Sequence, residues 1–403
     1  MLEIKGIMKL KNYYYTIMVL FFLGCKDDLA ESMSKEIGNT DIKENVALRD
    51  SILNEIRSYV TMHNCPGLSV AFTLDGKKYT KYNYGWKDKD AGGTMIDNKT
   101  LYRIGSVSKG FTGILASILI NKGYFKLTDP VMKYIPECRL KAKDKKDSIR
   151  IWHVLAHCTG LTEHAYSNLI EQKFTREKIL NNLFSATVRD STGKKYAYQN
   201  ATFGIVEAII EKTTKMSFEE ALQNFIFTPL KMDSTNVGYT SLVTSINHAK
   251  PHRISSSGRY SSFTADEAYY NIPSAGGLNS TLNDMTLWLR TLVNDGNHII
   301  SKEAVDMALQ TYVDSSWDDR YFNKWKEVSN SGYGLGWRKI TFNGEAMSFH
   351  GGQVNQYRTE IIFNRKRKYG MVALFNSTCG YTSEIVPHVI GLIQEGLEEQ
   401  NCL

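Results

Sequence analysis

The 403-residue sequence predicts an α/β fold: one antiparallel sheet assembled from both ends of the chain and flanked by helices, with a mostly helical region inserted in the middle. Three observations carry this reading. Strand patterns cluster near the start and again near the end, the stretch between them is dominated by helical periodicity, and 42% hydrophobic with 11% aromatic residues suffices for a large core. The same composition excludes a disordered, collagenous or disulfide-built chain.

Residues 50 to 63 carry apolar side chains at helical spacing. Gly67 to Thr73, the Asp75-Gly76 dipeptide and Tyr79 to Trp86 then read as strand, tight turn and strand. From Ser106 to Gly123 the pattern is helical and ends at a glycine, and residues 150 to 300 form helical stretches broken by Gly, Pro and Asn. Strands return at Gly334 to Phe342, across an Asn343-Gly344 turn at Ala346 to His350, and at Arg358 to Phe363 and Gly370 to Phe375 on either side of a basic turn. A last periodic segment, Glu384 to Leu397, predicts a closing helix. No internal repeat or low-complexity tract is visible.

The 49 basic residues exceed the 42 acidic ones by seven, and the excess is spread along the chain, so no nucleic-acid partner is expected. The densest basic cluster, residues 139 to 147, also carries Asp144 and Asp147 and reads as a solvated loop. Lys5, Lys9 and Lys11 precede the apolar run Tyr13 to Leu23, the layout of an export signal. The run is too short for the roughly 20 residues a spanning helix needs. Its end, Leu23-Gly24-Cys25, resembles the lipobox of bacterial lipoproteins, which implies lipidation at Cys25 and a lipid-anchored place in the bacterial cell envelope. Lys26-Asp27-Asp28 resembles the acidic export tag of surface lipoproteins. The expected organisation is a signal over 1–24, a polar tether over 25–47 and one catalytic domain over 48–398. Within that domain the sheet draws on residues 48–105 and 330–398 and the helical region on 106–300. A monomer is expected. The other cysteines (Cys65, Cys138, Cys158, Cys379, Cys402) are odd in number and widely spaced, and read as small buried hydrophobes.

The chemistry narrows by elimination. His153 and His157 stand four apart, but Val154 occupies the place where a zinc protease needs Glu, and neither a phosphate-binding nor a dinucleotide glycine pattern is present. No metal or cofactor is expected. No Gly-x-Ser-x-Gly elbow exists, so serine chemistry falls to Ser-x-x-Lys, which puts a lysine one turn from a serine at a helix start, where backbone N–H groups and the helix dipole favour an oxyanion. The motif occurs at Ser32, Ser106 and Ser191. Ser32 lies in the tether and Ser191 in a turn, whereas Ser106 opens a long apolar helix and has Lys109 on the same face.

The surrounding segment, Tyr102-Arg103-Ile104-Gly105-Ser106-Val107-Ser108-Lys109, resembles the β-lactamase-related serine hydrolases, the superfamily of class C β-lactamases, DD-peptidases and penicillin-binding proteins. Further matches run through Asp129-Pro130, Leu155 to Leu161 and Pro273 to Thr281, so the resemblance covers roughly residues 50 to 395. It implies a β-lactamase/transpeptidase-like fold, and a Tyr-x-Asn motif that is present at Tyr166, Tyr198, Tyr269 and Tyr321. Only Tyr198-Gln199-Asn200 follows a glycine turn and precedes a helix, so Tyr198 is the expected base, with its hydroxyl pKa lowered by Lys109, and Asn200 the expected substrate and lysine contact. His350-Gly351-Gly352 stands where class C enzymes have Lys-Thr-Gly. By the resemblance His350 and Gly352 line the substrate strand, and the N–H of Gln353 pairs with that of Ser106 as oxyanion hole. Gly351 has no hydroxyl and His350 is no fixed cation, so efficient antibiotic hydrolysis is not expected. Arg358 reads as a solvent-facing strand residue, the alternative being a replacement cation for an anionic substrate. The implied activity is acyl transfer through Ser106 on an amide, peptide or ester, DD-peptidase or D-amino-acid-peptidase-like. The alternatives are an esterase, a weak β-lactamase or an inactive penicillin-binding-like receptor.

Overall fold

The computed structural model describes residues 46–401 except 91, 139, 141–148 and 379. The export signal, Cys25, nearly all of the tether, Ser32, most of the basic cluster, Cys379 and Cys402 lie outside the described residues. Among those described, no helix is long and apolar enough to cross a membrane.

Eight strands form the main sheet: β1 (Gly67–Thr73), β2 (Thr80–Gly85), β3 (Val313–Asp314), β4 (Val328–Tyr333), β5 (Arg338–Phe342), β6 (Glu345–Val354), β7 (Tyr357–Asn364) and β8 (Tyr369–Phe375). Their spatial order is β2-β1-β8-β7-β6-β5-β4-β3, with every pair antiparallel. The N-terminal hairpin therefore joins the C-terminal meander through one seam, β1 on β8, where Leu68 faces Phe375 and Thr73 faces Gly370. Between β5 and β6 the loop is Asn343-Gly344, with φ of 45° and 78°, the two left-handed residues a tight hairpin of this twist requires.

Strand alternation divides the core into two layers. Val70, Phe72, Met371 and Phe375 project to one face, where helices α1 (Val46–Met62) and α7 (Ile385–Asn401) cover them with Ile52, Ile56, Val389 and Ile393. Ala71, Val372 and Leu374 project to the other, against α2 (Ser108–Asn121) and α5 (Leu282–Val293), where Phe111 stacks on Trp288 at 4.1 Å. Three further helices matter below or frame the same layer: α3 (Phe203–Thr214), α4 (Pro273–Gly276) and α6 (Lys302–Leu309).

Two expectations are corrected. The strand foreseen over 334–342 begins only at Arg338, as β5; residues 334–337 form the turn that joins it to β4, which lies before the foreseen range, and buried Leu335 and Trp337 gave that turn a strand-like pattern. The middle of the chain, foreseen as mostly helical, also holds short strands at Asn236–Val237, His252–Ile254, Tyr260–Ser262 and Leu278–Ser280. At two or three residues each they are too short to show a period. Cys65, Cys138 and Cys158 are buried thiols.

Candidate active site

A cleft of about 480 Å³ opens between the edge of β6 and the helical region, and Ser106, Tyr198 and Asn200 all line it. Ser106 sits on a single 3-10 turn, Gly105–Val107, immediately before α2. Gly105 takes φ of 51°, and Ser108 locks the turn by donating its hydroxyl to Gly105 O (2.6 Å) while accepting from Leu278 N (3.2 Å). The predicted helix start is thus a tighter turn that lifts Ser106 toward the cleft while Lys109 stays fully buried beneath it.

Lys109 Nζ lies 3.4 Å from Ser106 Oγ and donates to Asn200 Oδ1 and to Ala275 O in α4, both at 2.7 Å. Among the described residues no carboxylate takes part. Burial first, and then the Arg338 charge, push the Lys109 pKa well below its ordinary value. An amine with both hydrogens given to carbonyl oxygens has its lone pair left for the serine. Asn200 spends its Nδ2 on Ser167 Oγ (3.4 Å) and Tyr269 Oη (3.3 Å), so it is held from both ends.

Tyr198 is hydrogen-bonded to Ser106, but its electrostatics reverse the expectation. Burial pushes its hydroxyl up to about 12, against the opposing pull of the Ser106 hydrogen bond and the Arg338 charge. Lys109 is not among the groups that lower it. His157 positions this tyrosine: its carbonyl accepts from Ala197 N (2.7 Å), its Nδ1 accepts from Gln199 N (3.1 Å), and its ring lies 4.4 Å from that of Tyr198. The accepting Nδ1 places the proton on Nε2, and burial followed by the charges of Lys109, His350, Arg338 and His164 keeps the ring neutral. His153 is likewise occupied, its Nδ1 accepting from Arg150 N (3.0 Å).

The strand residues divide differently from the sequence reading. His350 is 1% exposed, its Nδ1 within 2.9 Å of Gly351 O and its Nε2 within 2.9 Å of Tyr333 Oη, and it does not reach the cleft wall. Since a carbonyl can only accept, Nδ1 carries the proton and Tyr333 donates to Nε2. Burial first, then Arg338 and Lys109, hold its pKa well below the usual histidine range. Gly352 was expected to make room for substrate. Instead it makes room for the backbone that carries Ser106: a Cβ there would stand 2.1 Å from Ile104 O and 2.8 Å from Ser106 N. A Cβ on Gly105 would in turn stand 2.9 Å from Gln353 N, so the amides of Ser106 and Gln353 meet at one junction, as an oxyanion hole needs.

Three cleft residues escaped the sequence reading. Tyr269 and Tyr321 both begin Tyr-x-Asn triplets set aside in favour of Tyr198, yet both line the same cleft. Arg338, first residue of β5, is 8% exposed and lines it too, caged by aromatic rings with Tyr321 at 4.8 Å and Tyr198 at 5.6 Å from the guanidinium. Its Nε has no hydrogen-bond partner, and no ion pair among the described residues includes it. Arg358, by contrast, is not solvent-facing: it pairs with buried Glu360 and donates to Tyr321 Oη at 2.6 Å.

A family profile described as Beta-lactamase matches residues 52–386. Protein flp of Staphylococcus aureus strain N315 is 26% identical over 332 residues, 80% of this chain and 62% of the relative, so the chain spans under two thirds of that relative's length. A protein of Escherichia coli strain K12 named Beta-lactamase is 26% identical over 295 residues, 73% of this chain and 71% of the relative. Among solved structures, the octameric penicillin-binding protein homologue from Pyrococcus abyssi superposes with a TM-score of 0.75 at 23% identity, covering 86% of this chain and 77% of that one, a likeness of fold.

Proposed function

Because the chain belongs to the beta-lactamase family of serine hydrolases, we propose that it is a peptidase that forms an acyl-enzyme on Ser106 and prefers peptides whose leaving residue ends in a free carboxylate, as D-alanyl peptides do. The observation that carries this is Arg338. A guanidinium cannot shed its proton, and a nearly buried one without an anion is costly unless a ligand supplies the anion. Arg338 lines the cleft that holds Ser106, and among the described residues no anion pairs with it. With His350 neutral, Arg358 committed to Glu360 and Arg320 paired with Glu163, Arg338 is the cation left for a substrate carboxylate among the described residues lining the cleft.

In the first step Ser106 Oγ bonds to the substrate carbonyl carbon and gives its proton to Lys109. The N–H groups of Ser106 and Gln353 receive the oxyanion, and Tyr198, a neutral phenol at pH 7, hands a proton to the departing nitrogen and recovers one from the serine–lysine pair. Water, activated by the same residues in reverse, then releases the acyl group. This transfers the role of base from Tyr198 to Lys109, since the amine and not the phenol has the lowered pKa.

The test compares kcat/KM for an N-acetylated D-alanyl-D-alanine peptide with that for its C-terminal amide. The wild type should prefer the acid, and, measured on the plateau above the Lys109 limb of each enzyme, Arg338→Gln should lose about 10²-fold on the acid with little change on the amide. A wild type that treats the two alike, or turns over neither, sinks the carboxylate reading.

A further inference from the structure

The position after His350 has no side chain, yet the space its side chain would fill is occupied. A Cβ built on Gly351 would stand 1.7 Å from Tyr321 Oη and 2.7 Å from Tyr321 Cζ, so the phenol hydroxyl lies where the side chain of residue 351 would begin. Tyr321 comes from a different segment, the 3-10 turn Ser316–Phe322 between β3 and β4, and both it and Gly351 belong to the cleft wall.

We propose that Tyr321 is a specificity-determining residue whose hydroxyl, held at the edge of β6 in the space left by Gly351, hydrogen-bonds the substrate carboxylate beside Arg338. This rests on the carboxylate reading of Arg338. Three features place and free the hydroxyl for that task. Its ring packs 4.8 Å from the Arg338 guanidinium and 5.3 Å from the Phe349 ring, which fixes its direction. Its oxygen accepts from a terminal nitrogen of Arg358 (2.6 Å), so the O–H proton must point elsewhere. That proton rests on Glu360 Oε1 at 3.1 Å, but the same carboxylate oxygen also takes Nε of Arg358 at 2.9 Å and its terminal nitrogen. Turning the phenol O–H toward a ligand oxygen therefore leaves Glu360 with its arginine donors. Arg358 and Glu360 are positioning residues for Tyr321, and Gly351 is glycine because any side chain there would evict the hydroxyl.

The experiment uses the same acid and amide peptides on Tyr321→Phe and on Gly351→Ala, whose methyl takes the hydroxyl's place. Each should raise KM for the acid about tenfold or more, with kcat and the amide kinetics nearly unchanged. Fluorophosphonate labelling of Ser106 at the wild-type rate serves as the check that the variants fold. A Tyr321→Phe enzyme that keeps the wild-type preference, or weakens on acid and amide equally, overturns the role of Tyr321 while leaving that of Arg338 standing. A wild type without preference for the acid overturns both.

Discussion

Lys109 decides how the site works. Its two carbonyl acceptors suit a neutral amine, and burial together with the Arg338 charge favours that form. The sign of the pH dependence follows. Acylation that needs the deprotonated amine must rise with pH along a limb whose midpoint lies below that of an ordinary lysine. Removing the neighbouring cation must move the limb to higher pH, because the charge that depressed the pKa is gone. With a neutral ester as substrate, so that carboxylate binding does not enter, the kcat/KM profile of Arg338→Gln should be displaced upward from that of the wild type. An unmoved limb, or one that tracks a phenol near pH 12, returns the role of base to Tyr198. At this scale the sequence was readable where a motif carried the geometry, as at Ser106 and Lys109. It was silent on Arg338, an isolated residue far from any motif, and it set Tyr321 aside among four Tyr-x-Asn triplets; both acquire meaning only once β5 and the turn Ser316–Phe322 bring them to one wall.

The junction between β6 and the 3-10 turn is the element that sets catalytic geometry. Gly352 permits it, and the atoms a methyl would meet there are backbone, which cannot swing aside. Gly352→Ala should therefore push the strand away from Ser106, lowering the acylation rate about 100-fold and stability by about 1–3 kcal/mol. Denaturant midpoints and single-turnover acylation measure the two effects separately, and wild-type acylation would show that the Ser106 and Gln353 amides are not held by this contact. A second tie works from the other side. Buried Glu207 in α3 accepts from Ser274 N (2.7 Å), which fixes α4 and so the Ala275 carbonyl that receives Lys109. Long elements with a clear period, such as the first hairpin, the Asn343-Gly344 turn and the closing helix, were legible in the sequence. The short strands of the middle region and the turn Ser316–Phe322 were not, since their conformation is imposed by what they pack against.

On the scale of the molecule, the sheet and helical regions are halves of one device. The seam of β1 on β8 closes the sheet across nearly the whole chain, and α1 with α7 covers its outer face. The five aliphatic residues that α7 buries there (Ile385, Val386, Val389, Ile390, Ile393) contribute roughly 8–15 kcal/mol at about 1.5–3 kcal/mol each, comparable with the whole net stability of a domain. Neither the first hairpin nor the closing helix can therefore be dispensed with, although Ser106 lies in neither. The order of motifs along the sequence already implied this, because Ser106, Tyr198 and the β6 strand must meet in one cleft. Ser106 is the proposed nucleophile of that cleft. Brief exposure to a penicillin, an acid quench, digestion and peptide mapping by mass spectrometry test it most directly. The acyl adduct should map to Ser106 in the wild type and be missing from Ser106→Ala, whereas an adduct on another residue such as Ser191, or one that persists in Ser106→Ala, would contradict it.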